Sequence, residues 1–439
     1  MISKIKGTYD ILPEDTAKWQ DLENVIYQVS KLYNFKEIRT PIFEASELFH
    51  RGVGDSTDIV KKETYDFLDR GERSITLRPE GTASVVRSII ENKLYASPNL
   101  PIKVYYQGPM FRYERPQKGR QRQFHQFGAE ALGSMSPLVD AEMIAYSYSL
   151  LKALRLPNIQ VKVNSLGDNE SKEAYKKALL AYLDTEHTNL CEDCNRRYHE
   201  NPYRVLDCKI DKGSETIENA PKPIDFLNEE DKKHFETVLS YLDGMHIPYT
   251  VDKYLVRGLD YYTHTVFELE VASSTLGAQS TLGGGGRYNH LFKTLEGPEF
   301  PAVGFAFGME RLLIALEELS MVDVPDSIHA FMIIMGEVAK PRALETILKL
   351  RHGGLVVDYD FFDRNLKGQF KQAERLSPKF TLIFGESELE SDTIQIKNTK
   401  TGEQETVPLE LLYKTLVYKI QNEQHSCSGH CDDCGDSCQ

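Results

Sequence analysis

The sequence predicts an α/β protein of the α+β type in two domains, on three observations. Two segments of alternating apolar and polar residues, 103–114 and 123–132, flank one short loop and read as an antiparallel pair. From about 167 to 247 the texture turns polar, with lysine- and glutamate-rich helical stretches that read as an insertion. Past Asp323-Val324-Pro325-Asp326, strands and helices alternate, which marks a separate small α/β domain. A chain of 439 residues is also too long for one core. The expected division is 1–325, 326–420 and a Cys/His-rich, flexible tail at 421–439.

Taken in order, 15–33 spaces Trp19, Leu22, Ile26, Val29 and Leu32 at three- and four-residue steps, the apolar face of a helix, with Pro13 just ahead of it. Residues 35–43 read as a strand interrupted by Pro41, which assigns it to an edge or an interface. A short strand at 74–77 runs into the turn Arg78-Pro79-Glu80-Gly81-Thr82, which opens a helix to about Glu91. A helix at 137–155 and a strand at 159–164 follow the paired segments. Beyond the insertion, 254–271 is a long run of β-branched and aromatic residues and reads as strand. Gly283-Gly284-Gly285-Gly286-Arg287-Tyr288 follows a strand-like turn, and 303–316 passes from a glycine-spaced strand into a helix. The last domain is expected to hold strands at 330–335, 355–358 and 380–385 and helices at 341–350 and 365–376.

Composition narrows the function. Hydrophobic residues at 41% and charged residues at 27% are ordinary for a soluble chain, and no apolar run approaches a membrane span. The amino terminus lacks a signal-peptide core, and the seven cysteines fall in two clusters, so a reducing, cytoplasmic location is expected. A formal net charge of −14 opposes indiscriminate nucleic-acid binding, so any such contact must be local and shaped. Against that background Arg112, Arg115, Lys118, Arg120 and Arg122 crowd one loop with a single acid, Glu114. Guanidinium forks match phosphate geometry, so a bound polyanion is the functional reading; a solvated basic hairpin tip is the bland one. Arg311, at the helix start after Ala302–Gly308, offers a second cation for the same polyphosphate, and Phe124 a ring to cover a base.

Five stretches in order resemble one family. The Pro41 strand, the Phe111-Arg112-Tyr113-Glu114 loop and the glycine-spaced segment ending in Glu310-Arg311 are similar to motifs 1, 2 and 3 of class II aminoacyl-tRNA synthetases. Leu255-Val256-Arg257-Gly258-Leu259-Asp260-Tyr261-Tyr262 and Leu282-Gly283-Gly284-Gly285-Gly286-Arg287-Tyr288 resemble the two histidine-specific motifs of the histidyl-tRNA synthetase family. The similarity spans roughly 1–420 and leaves the tail outside. It implies an antiparallel-sheet catalytic domain of six or more strands, a carboxy-terminal anticodon-binding module and a homodimer joined near Pro41. No strand–GxGxxG–helix unit is present.

The resemblance also implies roles. Histidine, ATP with Mg²⁺, and tRNA(His) would be the ligands. Arg257 and Arg112 would neutralise the reacting carboxylate and α-phosphate; a salt bridge from Arg257 to Asp260 or Glu268 is the structural alternative. Glu130 and Tyr262, with Tyr261 beside them, would read the imidazole. Glu80, Thr82 and Gln126 would cradle the ammonium group, although Glu80 and Thr82 also stand where a helix cap belongs. Glu114, Arg120, Phe124, Gly284 and Arg311 would hold ATP, and Gln117 and Arg122, at the loop tip, the acceptor end of the transfer RNA. The glycines of 283–286 are equally consistent with a tight strand turn. A catalytically inactive regulatory subunit of ATP phosphoribosyltransferase resembles the same core, but usually lacks the anticodon domain and intact histidine motifs.

Two cysteine groups remain. Cys191, Cys194 and Cys208, with His199 as a fourth donor, have a spacing that favours zinc in general, but the family they resemble commonly carries this stretch without being known as a zinc enzyme, so no metal is assigned in the core. Cys427, Cys431, Cys434 and Cys438 in the tail could bind zinc or copper, or do nothing specific.

Overall fold

The alternating segments on either side of the basic loop pair antiparallel over ten residues each, from Ile102↔Leu132 to Phe111↔Gln123. In this computed structural model the described residues are 2–54, 57, 59–199, 201–206, 208, 210, 211, 213–271, 281–319 and 328–427, apart from the side chains of 197 and 423–427. The chain divides into two units, Met1–Asp323 and Val324–Gln439. The expected boundary at 323–326 and the tail side chains of Cys427, Cys431, Cys434 and Cys438 lie outside the described residues.

In the first unit the strands are β1 (Lys36–Glu37), β2 (Phe43–Ala45), β3 (Tyr65–Leu68), β4 (Ser74–Leu77), β5 (Ile102–Phe111), β6 (Gln123–Leu132), β7 (Ile159–Ser165), β8 (Thr250–Val251), β9 (Thr263–Val271), β10 (Thr281–Arg287) and β11 (Ala302–Gly308). Eight form one sheet in the order β1-β5-β6-β11-β10-β9-β7-β8. Its six inner strands are antiparallel, with β1 and β8 added parallel at the edges. β2, β4 and β3 make a separate three-stranded sheet.

Strand alternation gives the large sheet two different faces. Tyr105, Phe127, Ala129, Ala131, Val303, Phe305, Phe307, Phe267 and Leu269 point into the main core. There they meet Trp19, Leu22 and Ile26 of the helix Pro13–Leu32, Ile144 and Leu151 of Pro137–Ala153, and Phe235 and Val238 of Glu229–Gly244. The residues between them on the same strands, among them Tyr106, Gly128, Glu130, Gly304 and Glu268, face the other way, over the site.

Two expectations need correction, and one alternative left open is decided. The single strand at 35–43 is two strands in two sheets, because Pro41 lacks the N–H that would carry pairing through. The long strand at 254–271 starts only at Thr263; 254–262 is a loop whose apolar residues Leu255, Val256 and Tyr262 pack on the helical insertion rather than in a ladder. The glycine run lies inside central β10 and is not a turn.

The second unit has strands β12 (Ala330–Ile334), β13 (Val357–Tyr359), β14 (Phe380–Phe384), β15 (Thr393–Asn398) and β16 (Gln404–Pro408). β13, β12 and β14 are parallel, and β15 and β16 continue antiparallel from β14. The last two strands were not anticipated, and the helix Leu412–Cys427 runs into what was read as the start of the tail. Among the described residues no helix is long and apolar enough to cross a membrane.

Candidate active site

The site face is built around an acid that burial holds mostly protonated at neutral pH. Glu130, on β6, is 1% exposed. It accepts hydrogen bonds from Thr82 Oγ1 (2.7 Å) and Tyr288 Oη. Burial pushes its carboxyl up to about 8, against the opposing pull of those hydroxyls and with added repulsion from Glu80. Gly304 stands opposite Glu130 in the β6–β11 register. A Cβ there would lie 1.6 Å from Glu130 Oε2, so only glycine leaves room for the carboxylate.

Glu80 is also buried and raised by burial. Its two oxygens accept the backbone N–H groups of Thr82 and Ala83, each at 2.7 Å, at the start of the helix Thr82–Glu91. The capping role is therefore real, and it holds Thr82 where its hydroxyl reaches Glu130. The rings of Tyr261 and Tyr262 lie 4.8 Å apart, tilted at 49°, and Tyr261 meets Tyr288 edge-on at 5.5 Å. Burial raises all three phenols, as it does Tyr106, so these hydroxyls stay neutral. Gln126 lies four residues before Glu130 on β6, and its Oε1 is buried with no partner among the described residues.

Beside this acid-and-phenol hole lies a group of cations. Arg257 pairs with Glu268 of β9, which decides between the two partners left open by spacing. Burial works against its charge, but Glu268 outweighs it and holds the guanidinium above its ordinary range. Its Nε is buried and unpartnered among the described residues. A Cβ at Gly284 would come within 3.0 Å of Arg257 Nη1, so a bare backbone at that position gives the guanidinium its place on the sheet.

Arg311 donates from Nη1 to the Thr281 carbonyl at 2.9 Å. Burial lowers its affinity for a proton, with Arg120 and Arg112 repelling it and Glu114 and Glu268 in opposition. The helix that carries it is pinned by Glu310, which accepts the His125 N–H at 2.9 Å and the Tyr9 hydroxyl at 3.1 Å. Arg112 donates to the Pro79 carbonyl at 2.9 Å and lies 5.2 Å from the Phe124 ring. Glu114 sits between Arg112 (3.9 Å) and Arg120 (3.5 Å). Residues from four separate stretches thus converge: cations crowded beyond what their acids neutralise, next to a neutral, hydroxyl-rich hole.

Of the remaining residues, Gln117 stands at the loop as expected, while Arg122 and His199 do not stand where they were expected. Gln117 is exposed at the loop, paired with Arg120 through the backbone. Arg122 is not at the tip: its carbonyl accepts from Arg112 N–H at 2.9 Å, and its guanidinium stacks on Tyr113 at 3.9 Å, which folds it onto the loop's base. His199 is exposed, its ring tilted against that of Tyr198, and Asp211, not His199, joins Cys191, Cys194 and Cys208. Sequence reasoning missed Tyr106, whose hydroxyl lies over Gly128 directly across the β5–β6 register. It also missed Tyr288 as a site residue. A glycine opposite a tyrosine on paired strands was the available signal for Tyr106.

The profile of the histidyl-tRNA synthetase family matches residues 7–312, and that of the anticodon binding domain matches 329–419. A histidine–tRNA ligase of Staphylococcus aureus is 51% identical over 414 residues, 94% of this chain and 99% of that one. The crystal structure of apo Staphylococcus aureus histidyl-tRNA synthetase superposes with a TM-score of 0.81 at 45% identity, covering 95% of this chain and 100% of that one. A Nostoc histidyl-tRNA synthetase superposes at 0.69 with 22% identity, over 96% and 100% of the two chains, and speaks to the fold alone.

Proposed function

Because this chain belongs to the histidyl-tRNA synthetase family, we propose that the hole at Glu130 takes the imidazole of histidine and that the arginines beside it hold ATP. The activity is that of a histidine–tRNA ligase: histidine's carboxylate attacks the α-phosphorus of ATP, pyrophosphate leaves, and the histidyl group passes to the 3′ end of tRNA(His). The single observation that carries the site reading is a buried carboxyl, raised to about 8, ringed by hydroxyls and adjoining the arginine group.

The first step joins two anions, so positive charge must already be in place. Arg257 and Arg112 supply it, and guanidinium groups do this without exchanging a proton. Arg257's free, buried Nε is a donor left for the substrate. Arg120 and Arg311 reach the outer phosphates, Phe124 covers the base, Glu114 takes the adenine amino group, and the backbone at Gly284 lets the ribose lie close. Mg²⁺ would be held chiefly by phosphate oxygens, with Glu114 the carboxylate at hand, which suits an ion that keeps most of its water. It would supply further charge neutralisation.

Selection of histidine rests on pairing both ring nitrogens, Glu130 accepting one N–H and Tyr262 serving the other, with Tyr261 walling the hole. Gln126, through its unpartnered Oε1, takes the ammonium group with Glu80 and Thr82. Gln117, exposed on the loop, meets the acceptor stem, with Arg122 bracing the loop from its base. The second unit reads the anticodon by stacking: its charges balance, with 13 Lys+Arg and 13 Asp+Glu over 329–420, and Phe361 and Phe362 stand exposed after β13.

The chain works as a cytoplasmic homodimer. The three-stranded sheet next to Pro41 exposes Phe43 by 56%, Phe67 by 47% and Leu68 by 67%, an apolar surface suited to a second copy. Light scattering at micromolar concentration should return twice the chain mass; a monomer would contradict this. The regulatory-subunit reading is not favoured, because Arg112, Arg257, Arg311, Tyr261, Tyr262 and the second unit are all present. Charging of tRNA(His) with labelled histidine and ATP tests the function: charged product is expected, and its absence from folded protein would reinstate the regulatory reading.

A further inference from the structure

Among the described residues one group of metal-ligating side chains stands apart from the active site: Cys191, Cys194, Cys208 and Asp211, in the helical insertion. One ligand atom from each lies within 4.8 Å of all the others. Cys191 Sγ and Cys208 Sγ are 3.7 Å apart. A disulfide would need about 2.05 Å, so these sulfurs are not bonded. Four ligands at about 2.3 Å from a tetrahedral zinc stand about 3.8 Å from one another, which is the separation these two sulfurs already have.

The local backbone explains the convergence. Cys191 precedes the helix Glu192–Arg197 as its cap residue, so the two-residue gap to Cys194 brings both thiols to the same side of one turn. One main-chain N–H ties the second stretch to the first, and another orders the second stretch itself. The Cys191 N–H donates to the Asp211 carboxylate at 3.1 Å, and the Asp211 N–H donates to Cys208 Sγ at 3.5 Å. Such bonds orient the donor atoms before a metal arrives. Three sulfurs and one carboxylate oxygen suit zinc, and are wrong for magnesium or calcium, which take oxygen throughout. Cys194 and Asp211 are buried while Cys191 and Cys208 are partly open, which leaves a way in.

We propose that Cys191, Cys194, Cys208 and Asp211 form a structural site for one tetrahedral Zn²⁺ ion that clamps the two ends of the segment they enclose. On binding, the three thiols lose their protons to solvent and bind as thiolates. The enclosed segment carries Asn201, whose Nδ2 donates to Asp260 at 2.8 Å, and Tyr203, whose hydroxyl donates to the Lys172 carbonyl at 2.9 Å. Lys172 in turn donates to the Tyr262 carbonyl at 2.7 Å. The clamp therefore backs the loop that carries Arg257 and Tyr262, although the metal site itself does not depend on their catalytic assignment.

The test uses the full chain with the four tail cysteines changed to serine, so that tail binding cannot contribute. Zinc is measured by mass spectrometry after passage over a chelating resin, and the metal is then replaced by Co²⁺. The expected result is about one zinc per chain and a thiolate-to-cobalt charge-transfer band. Adding Cys191→Ser and Cys208→Ser, both at partly open positions, should abolish both signals. Zinc below about a tenth per chain with no cobalt band, or metal content unchanged by those two substitutions, overturns the proposal. So does a Cys191–Cys208 disulfide in the metal-free chain that persists in place of metal uptake. Should the serine variant fail to fold, the cobalt spectrum of the tail-substituted chain decides alone.

Discussion

At the scale of single residues, Glu130 is the group whose behaviour is most easily measured. Its carboxyl titrates near 8 in the folded chain against about 4.3 in an unfolded one. The folded state therefore binds more protons than the unfolded state between those values. The stability this contributes is full below about pH 4.3 and is lost as pH rises through 8. Glu130→Gln removes the dependence. Melting curves of ligand-free protein from pH 5 to 8 should show the variant gaining on the parent as pH rises, and parallel curves would contradict the assignment. A second prediction concerns Arg257. Arg257→Ala should lower histidine-dependent pyrophosphate exchange by about 10²–10³-fold or more, the cost of removing one preorganised donor, with ATP binding largely kept. Near-normal exchange would move the role elsewhere. Arg257, Arg112, Glu130 and Tyr262 could be proposed from the sequence because a short motif carries each. The partner of Arg257 could not be decided there, since Glu268 becomes its neighbour only when the 254–262 loop turns back on β9. Tyr106 was invisible for a related reason: its contact with Gly128 is a register across two strands.

At the scale of elements, the site depends on strands that carry no side chains where chemistry must fit. β10 and β11 place Gly284 under Arg257 and Gly304 under Glu130. Gly304→Ala should push Glu130 aside and shift the β6–β11 backbone slightly, since the new Cβ would also lie 2.8 Å from the Ala129 carbonyl oxygen. Because a displacement of about 1 Å can cost ~10²-fold, histidine-dependent exchange should fall by at least that amount, with a circular-dichroism spectrum like the parent's. Unaltered exchange would mean that the carboxylate is not needed where it stands. Glycine spacing alone was weak evidence in the sequence, and it left 283–286 undecided, because a run of glycines serves a turn and a crowded strand equally well. The strand read into 254–262 failed differently. Alternating apolar residues satisfied the strand pattern, yet they pack on the insertion's own core, which local periodicity cannot reveal. By contrast β6 and β4 were bounded to the residue, because alternation there is two-faced and ends in turn residues.

At the scale of the whole molecule, the chain combines two units with separate cores. Removing residues 329–439 should depress charging of transfer RNA far more than pyrophosphate exchange, since anticodon contact concerns only the second step. Equal losses in both assays would make the second unit a support for the first. The overall plan was legible in advance because the insertion and the last domain differ in texture from their surroundings. The two final strands of the second unit were not, as β15 and β16 are short and largely polar. The central claim is that the Glu130 hole admits an imidazole beside arginines poised for ATP. The most direct measurement is pyrophosphate exchange into ATP with each amino acid supplied alone. Histidine and no other should drive it. Exchange driven by a different amino acid, or none with any, would contradict the account.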